Sequence, residues 1–316
     1  MAQSTPGDGF QPHPALERFS HTLEPEGLFY FDSGPAREAV RPGRCCSDQD
    51  LLKLGQDAGP SAGSSVLLIH GNGDEADTWR HVLPTLAQNH RVLALDLPGF
   101  GRSKPRSNGN FLELVSAVSE FIGSLGLERT HLVGSSLGAA IAGSVASQSP
   151  EQISSLTLVG GVPSGFGLDH TPQVGPLLQP GVGESLYTAL REAGQDAAYA
   201  TLEPYYASLE NLPQGDREFL RGRVWARVWS DTQRSAFFAA LRSLENAPPV
   251  QPSRLEALPI LLVWGEQDRI WPLGAALEVV RHLPGARLER IGNTGHLPHQ
   301  EQPQAFLKVL EEFLSG

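Results

Sequence analysis

A serine in a glycine-rich turn is the first residue whose surroundings suggest chemistry. Residues 134–138 read Gly-Ser-Ser-Leu-Gly and fit the pattern G-x-S-x-G, with Ser136 at its centre. The apolar run 130–133 precedes this motif, and a stretch of small residues at 137–147 follows it. This order predicts a strand, a sharp turn and a helix, and such a turn lifts one serine hydroxyl clear of the backbone. Ser136 is therefore a candidate nucleophile, and Ser135 is its off-centre competitor.

A serine nucleophile needs a base within hydrogen-bond reach and an acid that orients the base. Asp268 follows the predicted strand 259–264, and His296 follows the predicted strand 287–291. Ligands of open α/β sheets bind beyond the carboxyl ends of the strands, where these two side chains are expected. Asp268 and His296 are therefore the candidate acid and base.

The elements that must position these residues can be predicted from hydrophobic patterning. Continuous apolar runs indicate strands buried on both faces, and apolar residues at helical spacing indicate amphipathic helices. The strands are predicted at 28–31, 65–69, 91–95, 130–133, 156–159, 259–264 and 287–291. The helices are predicted at 77–88, 111–125, 137–147, 187–202, 216–229, 232–244 and 302–314.

Alternating strands and helices predict an α/β fold, with a doubly wound, mostly parallel sheet joined by right-handed crossovers. The alternation stops at 163–250, where the predicted elements are helical. This segment is therefore predicted to be an insertion that divides one α/β domain into the parts 27–162 and 251–316. Residues 1–26 are predicted to be a disordered lead, and 35–64 a long loop with one helical turn at 48–54.

Composition limits the classes of partner. The chain has 316 residues, with 35 acidic against 24 basic side chains and a net charge of −11. A nucleic-acid partner is not expected, because phosphate binding needs a basic face. No apolar stretch approaches the roughly 18 residues that span a bilayer, and residues 1–14 lack the features of a signal peptide. We therefore expect a cytoplasmic protein with no membrane partner, while the oligomeric state stays open.

The only two cysteines, Cys45 and Cys46, are adjacent. A bridge between neighbours is strained and closes no useful loop, so a disulfide framework is excluded. No further cysteine exists to complete a thiolate cluster around a metal, and no metal site is expected.

The sequence resembles the α/β-hydrolase superfamily over about 65–162 and 250–316. The resemblance rests on five segments that occur in order on the expected elements: His70-Gly71, 96–103, 134–138, 265–268, and Gly295-His296 followed by Glu301 and Pro303. The chain order Ser136, Asp268, His296 is the nucleophile–acid–base order of that superfamily. The resemblance implies a capped serine hydrolase in which 163–250 form a helical cap.

The resemblance also implies a role for each matched residue. Ser136 would attack an acyl carbonyl, His296 would accept its proton, and Asp268 would hold the histidine in the productive tautomer. The oxyanion would be bound by the backbone N–H groups of Asn72 and Leu137. This chemistry requires no metal or organic cofactor, and the expected partner is a small-molecule acyl substrate.

Other residues compete for the acid and base roles. Glu266 and Asp231 are weaker alternatives for the acid, and His299 is the nearby rival for the base. His296 is favoured because Gly295 before it and Glu301 after it match the pattern of the superfamily.

The resemblance extends to two relatives that use another nucleophile. The His-Gly-Asn sequence ending at Asn72 also resembles haloalkane dehalogenases, in which that Asn helps to hold halide. Those enzymes and epoxide hydrolases use an Asp nucleophile, whereas this chain has Ser136. Tyr205 and Tyr206 are therefore not interpreted as an epoxide-activating pair. The favoured interpretation of these tyrosines, and of Trp225 and Trp229, is the interior of the cap, and pocket lining is the alternative.

The sequence thus favours a serine hydrolase that cleaves a small, fairly apolar ester or other acyl compound through an acyl-enzyme. A C–C bond hydrolase of aromatic catabolism, a perhydrolase or an amidase with the same triad is the alternative. A hydrolase-fold ligand receptor with little turnover is the alternative of another class, and the intact triad argues against it.

Overall fold

The computed structural model of the protein describes residues 10–35, 65–166, 179 and 181–316. One eight-stranded sheet runs through this part of the chain. Its strands are β1 (Ser20–Leu23), β2 (Leu28–Asp32), β3 (Ser65–Ile69), β4 (Arg91–Leu95), β5 (Thr130–Ser135), β6 (Ile153–Val159), β7 (Ile260–Gly265) and β8 (Arg287–Ile291).

The strands are arranged in the order β1-β2-β4-β3-β5-β6-β7-β8. The β1–β2 and β2–β4 pairs are antiparallel, and all the other pairs are parallel. The prediction of a mostly parallel sheet is therefore confirmed.

The described residues contain ten α-helices. They are α1 (Leu83–Leu86), α2 (Phe111–Ser124), α3 (Leu137–Gln148), α4 (Val182–Ala193), α5 (Gln195–Ala200), α6 (Gln214–Trp229), α7 (Asp231–Leu244), α8 (Leu273–His282), α9 (Pro298–Glu301) and α10 (Pro303–Ser315). On one face, residues such as Leu67 and Leu262 pack with α2, α3 and α8. On the other face, their neighbours Leu68 and Val263 pack with α1 and α10. Because successive strand residues point to opposite faces, continuous apolar strands are what a doubly wound sheet requires.

The predicted disordered lead is wrong for its described part, 10–26. Residues 20–23 form β1, which pairs with β2 and so begins the sheet. β1 is an edge strand, and its mostly polar residues are partly or fully exposed. It therefore contains no continuous apolar run from which a strand could be predicted. Residues 1–9 lie outside the described part, as do Cys45, Cys46 and the predicted helical turn at 48–54.

Two predicted helices are interrupted. The predicted helix 77–88 is divided into a short 3-10 turn at Ala76–Trp79 and the single turn α1, which has a proline near its start. The predicted helix 187–202 begins earlier and is divided into α4 and α5 at Gly194, whose φ is 97°. Glycine adopts such a φ without steric cost, so the chain changes direction there.

The segment between β6 and β7 contains four helices, α4 to α7, and none of the sheet strands among its described residues. This segment, called the helical insertion below, contacts the loops that follow β3 and β8. In the described residues, no helix is long and apolar enough to span a membrane.

Candidate active site

Ser136 occupies a sharp turn between β5 and α3. Its backbone has φ 53° and ψ −116°, a conformation that a non-glycine residue rarely adopts. Its N–H donates to the Val159 carbonyl at 2.9 Å, and its carbonyl accepts from Ala139 N–H at 2.9 Å. Strained backbone of this kind persists only where the surroundings hold it, and it is concentrated at functional sites.

Two glycines make this turn possible. A Cβ at Gly134 would overlap the backbone of Gly138, and a Cβ at Gly138 would overlap the Ile69 carbonyl. The helix α3 can therefore approach β5 and β3 closely only with glycine at both positions. This close approach is the physical reason for the spacing of the G-x-S-x-G motif.

Asp268 and His296 are in direct contact. The Nδ1 atom of His296 lies 2.9 Å from Asp268 Oδ2, and both side chains are 1% exposed. The other carboxylate oxygen, Oδ1, accepts from the N–H groups of Ile270 at 2.8 Å and Trp271 at 2.9 Å. A carboxylate can only accept, so His296 donates from Nδ1, and in the neutral ring Nε2 is then the free acceptor.

His296 Nε2 is buried and has no hydrogen-bond partner among the described residues. The loop that carries the ring is fixed, because His296 N–H donates to the Tyr205 carbonyl at 2.8 Å. A Cβ at Gly160 would lie 3.2 Å from His296 Cε1, and one at the adjacent Gly161 would lie 2.9 Å from Ser136 Cα. Consecutive glycines after β6 therefore contact both the histidine and the serine.

The competing residues are placed elsewhere. Ser135 is buried, and Glu266 is exposed. Asp231 is 78% exposed and pairs with Arg191 and Arg234. His299 is buried against Trp79, and its Nε2 lies 2.9 Å from Thr78 Oγ1.

Two cavities meet at Ser136. The larger cavity has a volume of about 280 Å³, and its walls include Ser136, His296, Asn72 and many residues of the helical insertion. The smaller cavity has a volume of about 70 Å³ and is lined by Leu137, Ala140, Val162, Ser164, Leu241, Leu244 and Trp271 besides shared residues. The shared lining residues are Asn72, Ser136, Tyr205, Phe237 and Ile270. Space for a substrate therefore exists on both sides of the candidate nucleophile.

The two backbone groups expected to bind an oxyanion lie next to Ser136. Leu137 is the first residue of α3, and its N–H has no acceptor among the described residues, nor does that of Asn72. A Cβ at Gly71 would lie 3.2 Å from Ser136 Cβ, so the loop that carries Asn72 lies against the serine. His70 holds this loop, because its Nδ1 lies 2.7 Å from the Gly71 carbonyl and its Nε2 accepts from Leu97 N–H at 2.9 Å.

The four aromatic residues considered for the pocket divide into two pairs. Tyr205 and Tyr206 line the larger cavity, and the Tyr205 ring lies 5.9 Å from the His296 ring. Trp225 and Trp229 are not among the described residues that line either cavity. They pack edge to face at 5.7 Å inside the helical insertion, because their positions on α6 point toward α4 and α5.

Charged residues that no sequence motif marks form part of the wall of the larger cavity. Arg227 Nη2 donates to Asp74 at 2.9 Å and to Glu75 at 2.6 Å, and Arg223 also pairs with Glu75. Burial raises the pKa of Glu75, but Arg227 and Arg223 outweigh burial and lower this pKa to about 2. These ion pairs join α6 to the loop after β3. No motif marks them, because the partners are more than 140 residues apart in sequence.

Glu301, which belongs to the motif after His296, contacts both sides of the site. Its Oε1 accepts from Gly295 N–H at 2.6 Å, and its Oε2 accepts from Ala207 N–H at 2.8 Å. Burial raises the pKa of Glu301 to about 7, and the two backbone N–H groups oppose that shift. Glu301 thus connects the loop before His296 with the helical insertion.

Comparisons with known proteins place this architecture among hydrolases. A 2-hydroxy-6-oxononadienedioate/2-hydroxy-6-oxononatrienedioate hydrolase of Pseudomonas putida is 29% identical over 84% of this chain and 92% of its own. A 2-hydroxy-6-oxo-6-phenylhexa-2,4-dienoate hydrolase of Comamonas testosteroni is 28% identical over 80% of this chain and 88% of its own.

A solved structure and a family model agree with these relatives. The structure of a 2-hydroxy-6-oxo-6-phenylhexa-2,4-dienoate hydrolase from Rhodococcus sp. strain RHA1 superimposes with a TM-score of 0.67. It is 26% identical, and the match covers 80% of this chain and 91% of that one. The family model described as alpha/beta hydrolase fold matches residues 64–303. The chain therefore belongs to the alpha/beta hydrolase fold family.

Proposed function

We propose that this protein hydrolyses an acyl compound with Ser136 as nucleophile, His296 as base and Asp268 as orienting acid. The observation that carries the proposal is the Asp268–His296 hydrogen bond of 2.9 Å, with the unpartnered Nε2 of His296 in the same cavity as Ser136. A general base for a serine needs a free acceptor nitrogen, and the hydrogen bond from Nδ1 to Asp268 leaves Nε2 free for this role.

The reaction proceeds in two halves. Ser136 Oγ attacks the acyl carbonyl carbon while its proton passes to His296 Nε2, and the resulting oxyanion accepts from the N–H groups of Asn72 and Leu137. The carbon–leaving-group bond then breaks, and the leaving group takes the proton from Nε2. A water molecule attacks the acyl-enzyme by the same route, which releases the acid and restores Ser136 Oγ–H. No cofactor enters either half.

The helical insertion acts as the cap of this site. Residues of α4, α6 and α7 provide much of the lining of the larger cavity, and these are Leu186, Tyr187, Leu190, Leu220, Val224, Arg227, Val228, Gln233, Phe237 and Phe238. Because most of these side chains are apolar, they exclude bulk water from the reacting groups, and this strengthens the electrostatic interactions inside the site. The lining also supports a small, fairly apolar ester as the substrate.

Hydrolysis of a C–C bond is the second candidate. It is favoured by the relatives from Pseudomonas putida and Comamonas testosteroni, whose names describe hydrolases of hydroxy-oxo-dienoates. The same nucleophile and base would serve, with carbon in place of oxygen in the leaving group. A carboxylate substrate needs a cation, and Arg227 already pairs with Asp74 and Glu75. The lining therefore supports the ester more than the dienoate.

Two substrate panels separate these candidates. One contains p-nitrophenyl esters of increasing acyl length, and the other contains vinylogous 1,5-diketones that carry a carboxylate. We expect turnover of the esters to fall by at least about 10³-fold in Ser136→Ala and to be unchanged in the matched control Ser135→Ala. Undiminished ester turnover in Ser136→Ala overturns the proposed mechanism, and faster turnover of the diketones selects the second candidate.

A further inference from the structure

The side-chain amide of Asn72 has a fixed orientation. Its Nδ2 donates to the Phe237 carbonyl at 3.2 Å. A carbonyl oxygen can only accept, so the amide atom that faces Phe237 must be the NH₂ group. The other amide atom, Oδ1, is therefore an acceptor, and it is buried with no hydrogen-bond partner among the described residues.

This acceptor belongs to the residue that lies between the two cavities. Asn72 and Ser136 are both in the lining that the cavities share, and Asn72 N–H is one of the expected oxyanion donors. A substrate bound at Ser136 therefore also lies beside Asn72. A buried acceptor without a donor is unfavourable, so a ligand that supplies the donor is preferred.

Gln233, which lines the larger cavity, has a side-chain amide that is oriented in the same way as that of Asn72. Its Nε2 donates to the Gly101 carbonyl at 2.9 Å, which fixes Oε1 as the free acceptor by the same argument. The residue is 6% exposed, and its Oε1 has no partner in the described part of the chain. Asn72 and Gln233 thus each donate one hydrogen bond to a backbone carbonyl, and each keeps an amide oxygen that has no partner among the described residues.

The charged groups of the wall pair with one another. Asp74 and Arg227 line the larger cavity, and the Arg227 guanidinium donates to the carboxylates of Asp74 and Glu75. An anionic substituent beside Asn72 and Gln233 would meet two amide oxygens, which cannot donate to it. The polar features that remain unpaired therefore favour a hydroxyl or N–H group on the ligand.

We infer that the substrate carries a hydroxyl or N–H donor next to the reacting carbonyl, accepted by Asn72 Oδ1, with Gln233 Oε1 as the acceptor for a second donor. This inference rests on the proposed function and narrows its substrate class to donor-bearing acyl compounds. The donor is either on the acyl α-carbon or on the leaving group, since Asn72 lines the cavities on both sides of Ser136. A site built around an acceptor discriminates against analogues that lack the donor, because the acceptor is then left unpaired.

Matched ester pairs that differ only in the donor test this inference. For the acyl side, the pair is p-nitrophenyl hydroxyacetate and p-nitrophenyl methoxyacetate. For the leaving-group side, it is 2-hydroxyethyl butyrate and 2-methoxyethyl butyrate, followed by acid release. Each kcat/KM is divided by the rate of hydroxide hydrolysis of the same ester, which removes intrinsic reactivity.

We expect the hydroxyl member of one pair to be preferred by about tenfold in the wild type, as for one hydrogen bond. Asn72→Ala keeps the backbone N–H and should reduce this preference to within about twofold. Leu190→Ala, which enlarges the larger cavity without removing an acceptor, should leave the preference unchanged. A wild-type ratio near one in both pairs, or a ratio that survives Asn72→Ala, overturns the inference and leaves water as the partner of Asn72 Oδ1.

A binding measurement separates this inference from the proposed function. In Ser136→Ala, calorimetric titration with the same pairs should show about tenfold tighter binding of the hydroxyl member. If Ser136→Ala still turns the esters over, the proposed mechanism fails while the binding preference remains a separate result. Serine-dependent turnover together with equal binding of both members contradicts the donor assignment alone.

Discussion

Glu301 accepts a hydrogen bond from the backbone N–H of Ala207 at 2.8 Å, and this contact joins the end of the core to the helical insertion. The second oxygen of the same carboxylate accepts from Gly295 N–H at 2.6 Å, one residue before His296. Both oxygens face donors, so the ionised form satisfies the geometry and the protonated form places an O–H against an N–H. The pKa of Glu301, which burial raises to about 7, puts this change near neutral pH.

We expect the acid limb of the pH–activity profile to depend on Glu301. Protonation of Glu301 below its pKa of about 7 puts an O–H in place of one of its two accepting oxygens, so kcat/KM should fall on this limb. Glu301→Gln removes this ionisation, so its acid limb should be shallower than that of the wild type and its plateau should be lower. Steady-state kinetics on a p-nitrophenyl ester between pH 5 and 9 measures both acid limbs. Acid limbs of equal steepness in the two proteins would show that Glu301 does not control the position of His296.

Glu301 should also make stability depend on pH. Its folded pKa of about 7 is above its ordinary value of 4.5, so the folded chain binds more protons than the unfolded chain between these values. The free energy of unfolding should therefore fall as pH rises through this window. Urea unfolding at pH 5 and pH 8 tests this, and the difference between the two pH values should be smaller in Glu301→Gln. An equal difference in both proteins contradicts the burial-raised pKa.

Asp268→Asn should reduce kcat by about 10³- to 10⁴-fold with little effect on folding. The carboxylate accepts from His296 Nδ1, Ile270 N–H and Trp271 N–H, and an amide cannot accept in all these directions. In the asparagine variant, the NH₂ group faces either a backbone N–H donor or His296 Nδ1. In the second case Nδ1 must accept, so the ring proton lies on Nε2, which then cannot act as the base. Glu266→Gln, at an exposed carboxylate two residues earlier, is the matched control and should retain full activity. Retention of activity in Asp268→Asn would assign the orienting acid elsewhere.

Arg227→Met should lower the free energy of unfolding by about 3 kcal/mol, because it leaves buried carboxylates with fewer partners. Arg227 pairs with Asp74 and with Glu75, which is 1% exposed. The matched control is Arg234→Met, which removes a pair with Asp231, 78% exposed, and should cost less than about 1 kcal/mol. Chemical denaturation of the two variants gives the comparison. Equal losses would mean that the contact between α6 and the loop after β3 contributes no more than a surface pair.

Sequence patterning predicted the central strands well. The predicted bounds of β3 and β4 match the structure, since a buried parallel strand is a short apolar run between turn residues. The bounds of β8 match as well, although this strand lies at the edge of the sheet and is partly exposed. The edge strand β1 was missed because one side of an edge is open to solvent and its residues are polar. The helix α8 was not predicted either, although it packs on the sheet through Ala275 and Val279.

The site could be predicted only in part, for a related reason. Ser136, Asp268 and His296 each follow a predicted strand, so their side chains are expected at one edge of the sheet. Gln233 and Arg227 reach the same cavity from helices of the insertion, and nothing in their local sequence marks them. Their positions depend on how those helices pack, which hydrophobic periodicity alone does not determine. The free acceptors of Asn72 and Gln233 follow only from the hydrogen bonds of their amide nitrogens.

The central claim is that Ser136 is a nucleophile activated by His296, and covalent labelling tests it most directly. A fluorophosphonate probe should modify one serine per chain, and tandem mass spectrometry should assign the adduct to Ser136. The adduct should persist in Ser135→Ala, form far more slowly in Asp268→Asn and be absent in Ser136→Ala. An adduct on Ser135, or full esterase turnover in the unlabelled Ser136→Ala protein, would contradict the account.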